Sequence, residues 1–334
     1  MWVSDLTINK RGDHQAQKGE KMSLTSFLKN KEVREMSAGD FKKPKRKNSA
    51  EMKAAPVTNH YALIGVAFDY LMRFYLKYHY PQAIEKPWVA ISGAKTAVTD
   101  EEFEAWLFSK EKGAEIIETD SKYLISKRES LPKTVLRCLY YSEEVYESYL
   151  SSGVMDDQII IASIFLAQLD SLFRPLWLDN EIGVVDKSEI QDLKNQIALV
   201  NYEDFKPKHY CILNPTFGEG SKLVGGADAD LIIDNKLIDI KTTRNLKITP
   251  DFFFQIVGYY ILERIGGITP RPVKLLDIDE IGFYYSRYGI KIMYKVDEII
   301  DAEALPLFIE KFKGKAQEIF SDFQNVGKMI EKNE

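Results

Sequence analysis

Two short apolar segments joined by a tight turn constrain the fold more than any other part of the chain; they lie in residues 225–243, GGADADLIIDNKLIDIKTT. Both are rich in Leu and Ile, which favours buried β-strands, and the Asp-Asn pair between them is typical of a hairpin turn. Side chains two residues apart in a strand point to the same face of the sheet. The hairpin therefore predicts that Asp230 and Asp239 lie side by side, with Lys241 next to them.

Charged side chains on buried strands cost free energy unless they bind something. Two close carboxylates repel each other, a divalent cation relieves that repulsion, and oxygen ligands suit Mg²⁺ or Mn²⁺. Such a cation can hold a phosphate oxygen and lower the pKa of a bound water, with Lys241 placed to orient that water or to offset charge on the phosphate. The pattern thus predicts a site for phosphodiester hydrolysis. The alternative is a half-exposed sheet in which Lys241 forms an ordinary salt bridge.

Gln255 and Tyr259 form a second pattern, one loop after the hairpin. The segment that begins at Thr249 predicts a helix closed by Gly266-Gly267, and residues four apart lie on one helix face. An ordinary amphipathic helix would explain this pair taken alone. Directly after Asp-x-Lys, the pair indicates two further active-site side chains.

Together, the two patterns resemble the signature of the PD-(D/E)XK nuclease superfamily, in particular its RecB-like and lambda-exonuclease-like branch, which carries a Gln-x-x-x-Tyr motif. Five residues carry the resemblance: Asp230, Asp239, Lys241, Gln255 and Tyr259. The resemblance implies an α/β fold with a restriction-endonuclease-like αβββαβ core and a mixed sheet. The predicted order of elements in residues 188–296 fits that core.

The resemblance also implies roles for these residues. In the family, two acids, here Asp230 and Asp239, ligate Mg²⁺ or Mn²⁺ together with a main-chain carbonyl, which here belongs to Ile240. Gln255 and Tyr259 are then expected to position the substrate, which is nucleic acid, DNA rather than RNA. Relatives with an iron–sulphur cluster use four cysteines, whereas this chain has 2, so no such cluster is expected.

Three further acids have open roles. Some relatives add an acid from an upstream helix, and Glu189 and Asp170 are candidates for it. Asp170 lies four residues before Arg174, which favours a helical ion pair instead. Asp228 is either the first metal ligand in place of Asp230 or a residue behind it, and the shorter gap to the tight turn favours Asp230.

Two other function classes fit parts of the pattern. A protein that has kept the nuclease fold but lost catalysis would bind nucleic acid or protein, yet such a protein would usually lack one of the signature residues. Asp228-Ala229-Asp230 is also a D-x-D, which in glycosyltransferases holds Mn²⁺ and a nucleotide-sugar diphosphate. That fold requires alternating strands and helices before the motif, where this chain predicts mostly helices.

The chain divides into three predicted regions. Residues 1–54 are polar and carry the basic run KKPKRK, which predicts a flexible extension, with contact to nucleic acid as the alternative. Met22 reads as a protein start, so the residues before it should add nothing to the core. Residues 55–186 predict a helical region, and residues 187–334 hold the nuclease-like core with a C-terminal helix.

Composition narrows the class of protein. Hydrophobic residues make up 45% and charged residues 28%, as in ordinary globular proteins. No apolar run approaches the roughly 18 residues of a membrane span, and the N-terminus lacks the apolar stretch of a signal peptide, so we expect a cytoplasmic protein without membrane contact. The net charge of -5 argues against a protein that coats nucleic acid non-specifically, but it is compatible with carboxylate metal ligands.

Overall fold

The chain folds into a mixed α/β structure that contains two sheets. The computed structural model describes residues 23–38, 41–44, 49–109, 114–126, 130–173, 181–272 and 275–331. Residues 1–22 lie outside this described part of the chain, and they include residues 1–21, which were expected to add nothing to the core; residues 45–48 of the basic run and Arg174 also lie outside it.

Helices dominate the first part of the chain and flank the main sheet. Those before the main strands are α1 (Leu24–Lys29), α2 (Lys31–Ala38), α3 (Tyr61–His79), α4 (Val89–Ala97), α5 (Asp100–Ser109), α6 (Leu131–Ser152), α7 (Asp157–Phe173) and α8 (Lys187–Ile197). The later ones are α9 (Gly218–Leu223), α10 (Pro250–Gly266), α11 (Val296–Ile299) and α12 (Leu305–Glu331). Within the ranges given above, none of these helices has both the length and the apolar character that crossing a membrane requires.

The larger sheet has six strands, and the smaller one has three. In chain order the strands are β1 (Ile84–Glu85), β2 (Ile116–Glu118), β3 (Lys122–Ile125), β4 (Val184–Asp186), β5 (Cys211–Leu213), β6 (Leu231–Ile233), β7 (Lys236–Lys241), β8 (Glu280–Tyr285) and β9 (Ile290–Lys295). The large sheet has the order β1-β5-β6-β7-β8-β9, with parallel pairs β1–β5 and β7–β8 and antiparallel pairs elsewhere. The small sheet, β2-β3-β4, is antiparallel.

The large sheet lies between two apolar cores, and its strands supply alternate side chains to each. Leu231 and Ile233 of β6 pack into the core formed with α3, α4, α6 and α7. Ile232 between them packs into the core formed with α1, α10 and α12. This alternation follows from the two-residue period of a strand, and it explains why β6 is an unbroken apolar run: both faces are covered.

The predicted hairpin is present. β6 and β7 pair antiparallel, with Ile233 opposite Lys236, and Asp234 in the turn adopts a positive φ of 53°, a conformation that Asp tolerates better than most residues. Its carboxylate accepts hydrogen bonds from the backbone N–H groups of Lys208, His209 and Tyr210. These bonds lower the pKa of Asp234, although burial acts in the opposite direction.

Two regional expectations need correction. Residues 24–38, expected within a flexible extension, form α1 and α2, whose apolar side chains are buried against α10. The close approach of α1 occurs at Gly258 of α10, where an added Cβ would lie 3.1 Å from the side chains of Leu24 and Leu28. Residues 55–186, expected to be helical, also contain the strands β1 to β4.

We predict a large loss of stability when α1 is detached from this core. Phe27 is 1% exposed, and its ring meets Phe312 of α12 edge-on at a centroid distance of 5.0 Å. Phe27→Ala should lower the free energy of unfolding by about 3 kcal/mol or more, as expected for truncation of a buried aromatic residue. Val57→Ala, at a residue 45% exposed, is the control, and urea unfolding is the measurement. Equal midpoints for the two variants would show that α1 is dispensable.

Candidate active site

Asp230 and Asp239 are brought together by the register of the hairpin. Leu231 pairs with Ile238, so the next residues outward, Asp230 and Asp239, lie across from each other. The backbone N–H of Asn214 on the neighbouring strand donates to the Asp230 carbonyl at 2.9 Å, which continues the ladder past the end of β6. The adjacency expected from the two-residue period is therefore present in the structure.

Ile240 contributes its backbone to the same corner. Its N–H donates to Oδ2 of Asp230. The N–H and C=O of one strand residue face the same neighbouring strand, so the Ile240 carbonyl also lies on the Asp230 side. Two carboxylates and one main-chain carbonyl thus lie at the end of β6 and β7, at the three residues that the family resemblance implies as metal ligands.

Lys241, Gln255 and Tyr259 continue from Asp239 as a chain of polar contacts. Lys241 Nζ lies 2.6 Å from Asp239 Oδ2 and donates to Gln255 Oε1 at 2.8 Å. Gln255 Nε2 donates to the Tyr259 hydroxyl oxygen at 2.9 Å. An ammonium group is only a donor, so it fixes the orientation of the Gln255 amide, with the NH₂ group toward Tyr259. Helix α10 supplies Gln255 and Tyr259 from the same face, as their spacing predicts.

Burial and mutual repulsion disturb the acids of the site. Removal from water is the largest cause that raises the pKa of Asp230 well above its ordinary value, followed by the charge of Asp239. Burial also raises the pKa of Asp239, while the Lys241 ammonium lowers it. The pKa of Tyr259 is raised by burial and then by the charges of Asp239 and Asp230. At neutral pH, Tyr259 is therefore a protonated phenol. It can donate its hydroxyl hydrogen in one hydrogen bond and accept another through its oxygen.

The three acids with open roles occupy different places. The charge of Asp228 raises the pKa of Tyr259, and its backbone pairs with Thr216 in an isolated bridge. Asp170 accepts a hydrogen bond from the Tyr70 hydroxyl at 3.2 Å, and its charge acts on Arg73. The third acid, Glu189, belongs to the start of α8.

Asp69 of α3 is the upstream-helix acid that acts on both site carboxylates. Its charge raises the pKa of Asp230 and of Asp239. Arg73, one helical turn later, holds the Asp69 carboxylate at 2.6 Å and is itself 2% exposed. Sequence reasoning missed Asp69. The available signal was an Asp and an Arg four residues apart on an otherwise apolar helix, a costly arrangement without a role.

The aromatic ring of Phe252 contacts the ammonium group of Lys241. The Lys241 Nζ lies 4.5 Å from the centroid of the Phe252 ring, within the range of a cation–π contact. Phe252 is in the first turn of α10, three residues before Gln255. Helix α10 thus positions Lys241 through two contacts, one with the ring of Phe252 and one with the amide oxygen of Gln255.

A buried polar network fixes the end of β7 from the opposite side. The Ser286 hydroxyl lies 3.0 Å from Thr242 Oγ1 and 2.7 Å from Gln196 Oε1. Gln196 donates to Asp192 at 2.7 Å, and Asp192 also accepts from Arg287 at 2.8 Å. Satisfied networks of this kind rigidify their surroundings, so the strand end that carries Lys241 has a defined position.

A second group of metal-binding residue types lies at the start of α8. Ligand atoms of His60, Asp186 and Glu189 all lie within 4.8 Å of one another. Glu189 is buried, contacts His60 Nδ1 at 2.5 Å and accepts from the Asp186 N–H at 2.8 Å. These contacts form a capping box plus a hydrogen bond to His60, and they occupy both oxygens of Glu189. Local structure therefore accounts for this group more fully than for Asp230 and Asp239.

Comparison with known proteins identifies no relative. No family model matches the chain, no curated protein matches it, and no solved structure matches it.

The donor set of the site suits a hard divalent cation. The two carboxylates lie opposite each other at one corner, and burial, followed by the charge of Asp239, keeps the pKa of Asp230 high. Oxygen ligands alone favour Mg²⁺, Mn²⁺ or Ca²⁺ over softer metals. A cation bound by Asp230, Asp239 and the Ile240 carbonyl would supply Lewis acidity toward a phosphate oxygen and a water of lowered pKa.

We predict that Gln255→Ala impairs function without unfolding the protein. The side chain is half-buried and its partners are Lys241 and Tyr259, so its loss should leave both unpositioned while removing little apolar contact. Turnover on nucleic acid should fall about 10-fold or more, in the range found for positioning groups, while the melting temperature changes little. Gln191→Ala, at an exposed residue of α8, is the control. A lower melting temperature with unchanged turnover would assign Gln255 to the core instead.

Proposed function

We propose that this protein is a metal-dependent nuclease of the PD-(D/E)XK type that hydrolyses phosphodiester bonds in DNA. The single observation that carries the proposal is the continuous set of contacts from Asp239 through Lys241 and Gln255 to Tyr259, with Asp230 directly opposite Asp239. A half-exposed sheet with one ordinary salt bridge would not require a buried Asp239 opposite a half-buried Asp230, nor an amide that links the lysine to a phenol.

The order of elements supports the same proposal. Helix α8 precedes the antiparallel strands β5, β6 and β7, and α10 then connects β7 to the parallel strand β8. Apart from the short helix α9 between β5 and β6, this succession is compatible with the αβββαβ core that the family resemblance implies, and the sheet is mixed. The five signature side chains lie on β7, on α10 and just before β6, so they meet where the two strands end.

The side chains of the chain itself have distinct tasks in this reaction. Asp230, Asp239 and the Ile240 carbonyl would hold the cation. Lys241, held in position by Asp239 and Gln255, donates a hydrogen bond to the attacking water or to a non-bridging phosphate oxygen, where negative charge develops.

Tyr259 has a matching task on the substrate. Its oxygen accepts from Gln255, and the raised pKa keeps its proton in place. The phenol can therefore donate to a phosphate oxygen and orient the strand. Positioning of the reacting phosphate in this way lowers the entropic part of the barrier.

The test is cleavage of defined substrates in parallel. Linear duplex, circular duplex and single-stranded DNA, together with single-stranded RNA, are incubated with Mg²⁺, with Mn²⁺ and with EDTA. We expect products from DNA with either metal and none in EDTA, and the circular substrate separates endonuclease from exonuclease action. Intact substrates under every condition, with the Asp239→Asn variant indistinguishable from the wild type, would refute the proposal.

A further inference from the structure

An exposed aromatic–basic pair lies beside the candidate active site. Tyr61, the first residue of α3, is 42% exposed. Arg244, in the loop after β7, places its guanidinium carbon 5.6 Å from the centroid of the Tyr61 ring. Arg244 is also exposed. Tyr61 lies on α3, the helix that supplies Asp69, and Arg244 follows Lys241 by three residues.

The path from the carboxylates to this pair can be traced along α3. Asp69 acts on Asp239, and Tyr61 contacts Arg244. Asp239 is therefore near Asp69, and Arg244 is near Tyr61. The segment from Asp239 to Arg244 thus lies beside α3 and runs antiparallel to it. Eight helical residues at 1.5 Å each place Tyr61 about 12 Å from Asp69. A strand held at the carboxylates would reach the pair within a few nucleotides.

The backbone that presents the pair is fixed. The buried Tyr288 donates its hydroxyl to the Arg244 carbonyl at 2.6 Å. On the other side, the Tyr61 hydroxyl lies 3.3 Å from Asn59 Oδ1. The backbone of Arg244 is thus held before the ligand arrives, so binding has to order its side chain but not the loop.

We infer that Tyr61 and Arg244 bind an unpaired stretch of the nucleic acid next to the reacting phosphate: a base stacks on the Tyr61 ring, and Arg244 contacts the backbone phosphate. Stacking on an aromatic ring needs an unpaired base face, and it works for every base. Arg244 supplies local positive charge in a chain whose net charge is -5, where a diffuse basic surface cannot hold the strand. The inference rests on the proposed function for the identity of the ligand.

Binding measured without cleavage tests this inference separately. A labelled mixed-sequence oligonucleotide, alone or annealed to its complement, is titrated in Ca²⁺ buffer and followed by fluorescence anisotropy. Tyr61→Ala should weaken binding of the single strand by about 5- to 150-fold, the effect of losing one stacked base, and Tyr61→Trp should restore it. Arg244→Ala should weaken binding and reduce the slope of log affinity against log salt by about 1. Duplex affinity should respond less to Tyr61→Ala.

Two surface residues on other elements serve as matched controls. Tyr140 lies on α6 and donates its hydroxyl hydrogen to the Glu144 carboxylate. Arg264 lies in the last turn of α10 and donates to Asp277. Tyr140→Ala and Arg264→Ala should bind the single strand as the wild type does. Equal single-strand affinity of Tyr61→Ala, Arg244→Ala and these controls would overturn the inference, whatever the cleavage assay gives. The Asp239→Asn variant should lose cleavage but bind the single strand as the wild type does. That result would separate binding at Tyr61 and Arg244 from the cleavage chemistry.

Discussion

Removal of one negative charge from the carboxylate pair should abolish both cleavage and the response to metal. In the wild type, Mg²⁺ or Mn²⁺ binds only the folded protein and should raise the melting temperature; at a concentration of about 100 times the dissociation constant the gain is about 2.7 kcal/mol. Asp230→Asn and Asp239→Asn should each lose that gain. Differential scanning fluorimetry across a metal titration measures it, and gel analysis of DNA measures cleavage.

Without metal, removal of a negative charge from the carboxylate pair should increase the stability of the protein. The pKa of Asp230 is raised in the folded state by burial and by Asp239, so the folded chain binds more protons than the unfolded one above the ordinary carboxyl pKa of about 3.9. The free energy of unfolding then falls as pH rises. In EDTA the wild type should therefore lose stability from pH 4 upward relative to Asp230→Asn. The variant keeps an acceptor for the Ile240 N–H but removes the repulsion.

The control for this experiment is an acid outside the site. Asp297→Asn, at an exposed position in the first turn of α11, should keep the response of the wild type to metal and to pH. A wild type whose melting temperature ignores millimolar Mg²⁺ and Mn²⁺ would contradict the metal site, even if the protein binds DNA.

The local arrangement of the site was predictable because it depends on short-range rules. The two-residue period and the tight turn place Asp230 opposite Asp239, and a helical turn places Gln255 and Tyr259 on one face. Neither rule needs information from distant parts of the chain. Burial on both faces of β6 follows from its unbroken apolar sequence in the same way.

Non-local pairing explains what the sequence did not reveal. β3 and β4 pair although α6 and α7 lie between them in the chain, and β2, β3 and β4 have only 3, 4 and 3 residues, so their short apolar runs do not distinguish strands from loops. Residues 24–38 were assigned to a flexible extension because lysines and arginines dominate their neighbourhood. Leu24, Phe27 and Leu28 nevertheless form one apolar helix face, which is stabilised by α10.

Asp69 shows the same limit at the site. Helix α3 precedes the hairpin by about 160 residues of sequence, well outside any short-range pattern. Only the tertiary structure brings the Asp69 charge to Asp230 and Asp239. What the sequence did contain was the Asp69–Arg73 spacing, and a buried arginine that holds an acid is a reason to look for a third partner.

Replacement of Lys241 should separate catalysis from metal binding. Lys241→Met keeps the apolar stem against Phe252 but removes the ammonium that lies 2.6 Å from Asp239. DNA cleavage should fall about 10²- to 10³-fold, as when one donor to the developing charge is lost. The apparent affinity for Mg²⁺ should not fall, because lysine is not a ligand and its charge opposes the cation.

Stability of the metal-free variants gives this prediction a second readout. Loss of Lys241 leaves Asp239, 2% exposed, without its cationic partner, and an unpaired buried charge is strongly destabilising. In EDTA, Lys241→Met should therefore melt below the wild type, whereas Asp230→Asn should melt above it. Added Mg²⁺ should restore more stability to Lys241→Met than to the wild type, because the cation replaces the missing positive charge. Lys236→Met, at the other end of β7, should keep full cleavage. Weaker Mg²⁺ binding by Lys241→Met, or its unchanged cleavage rate, would show that Lys241 belongs to the structure of the strand and not to the chemistry.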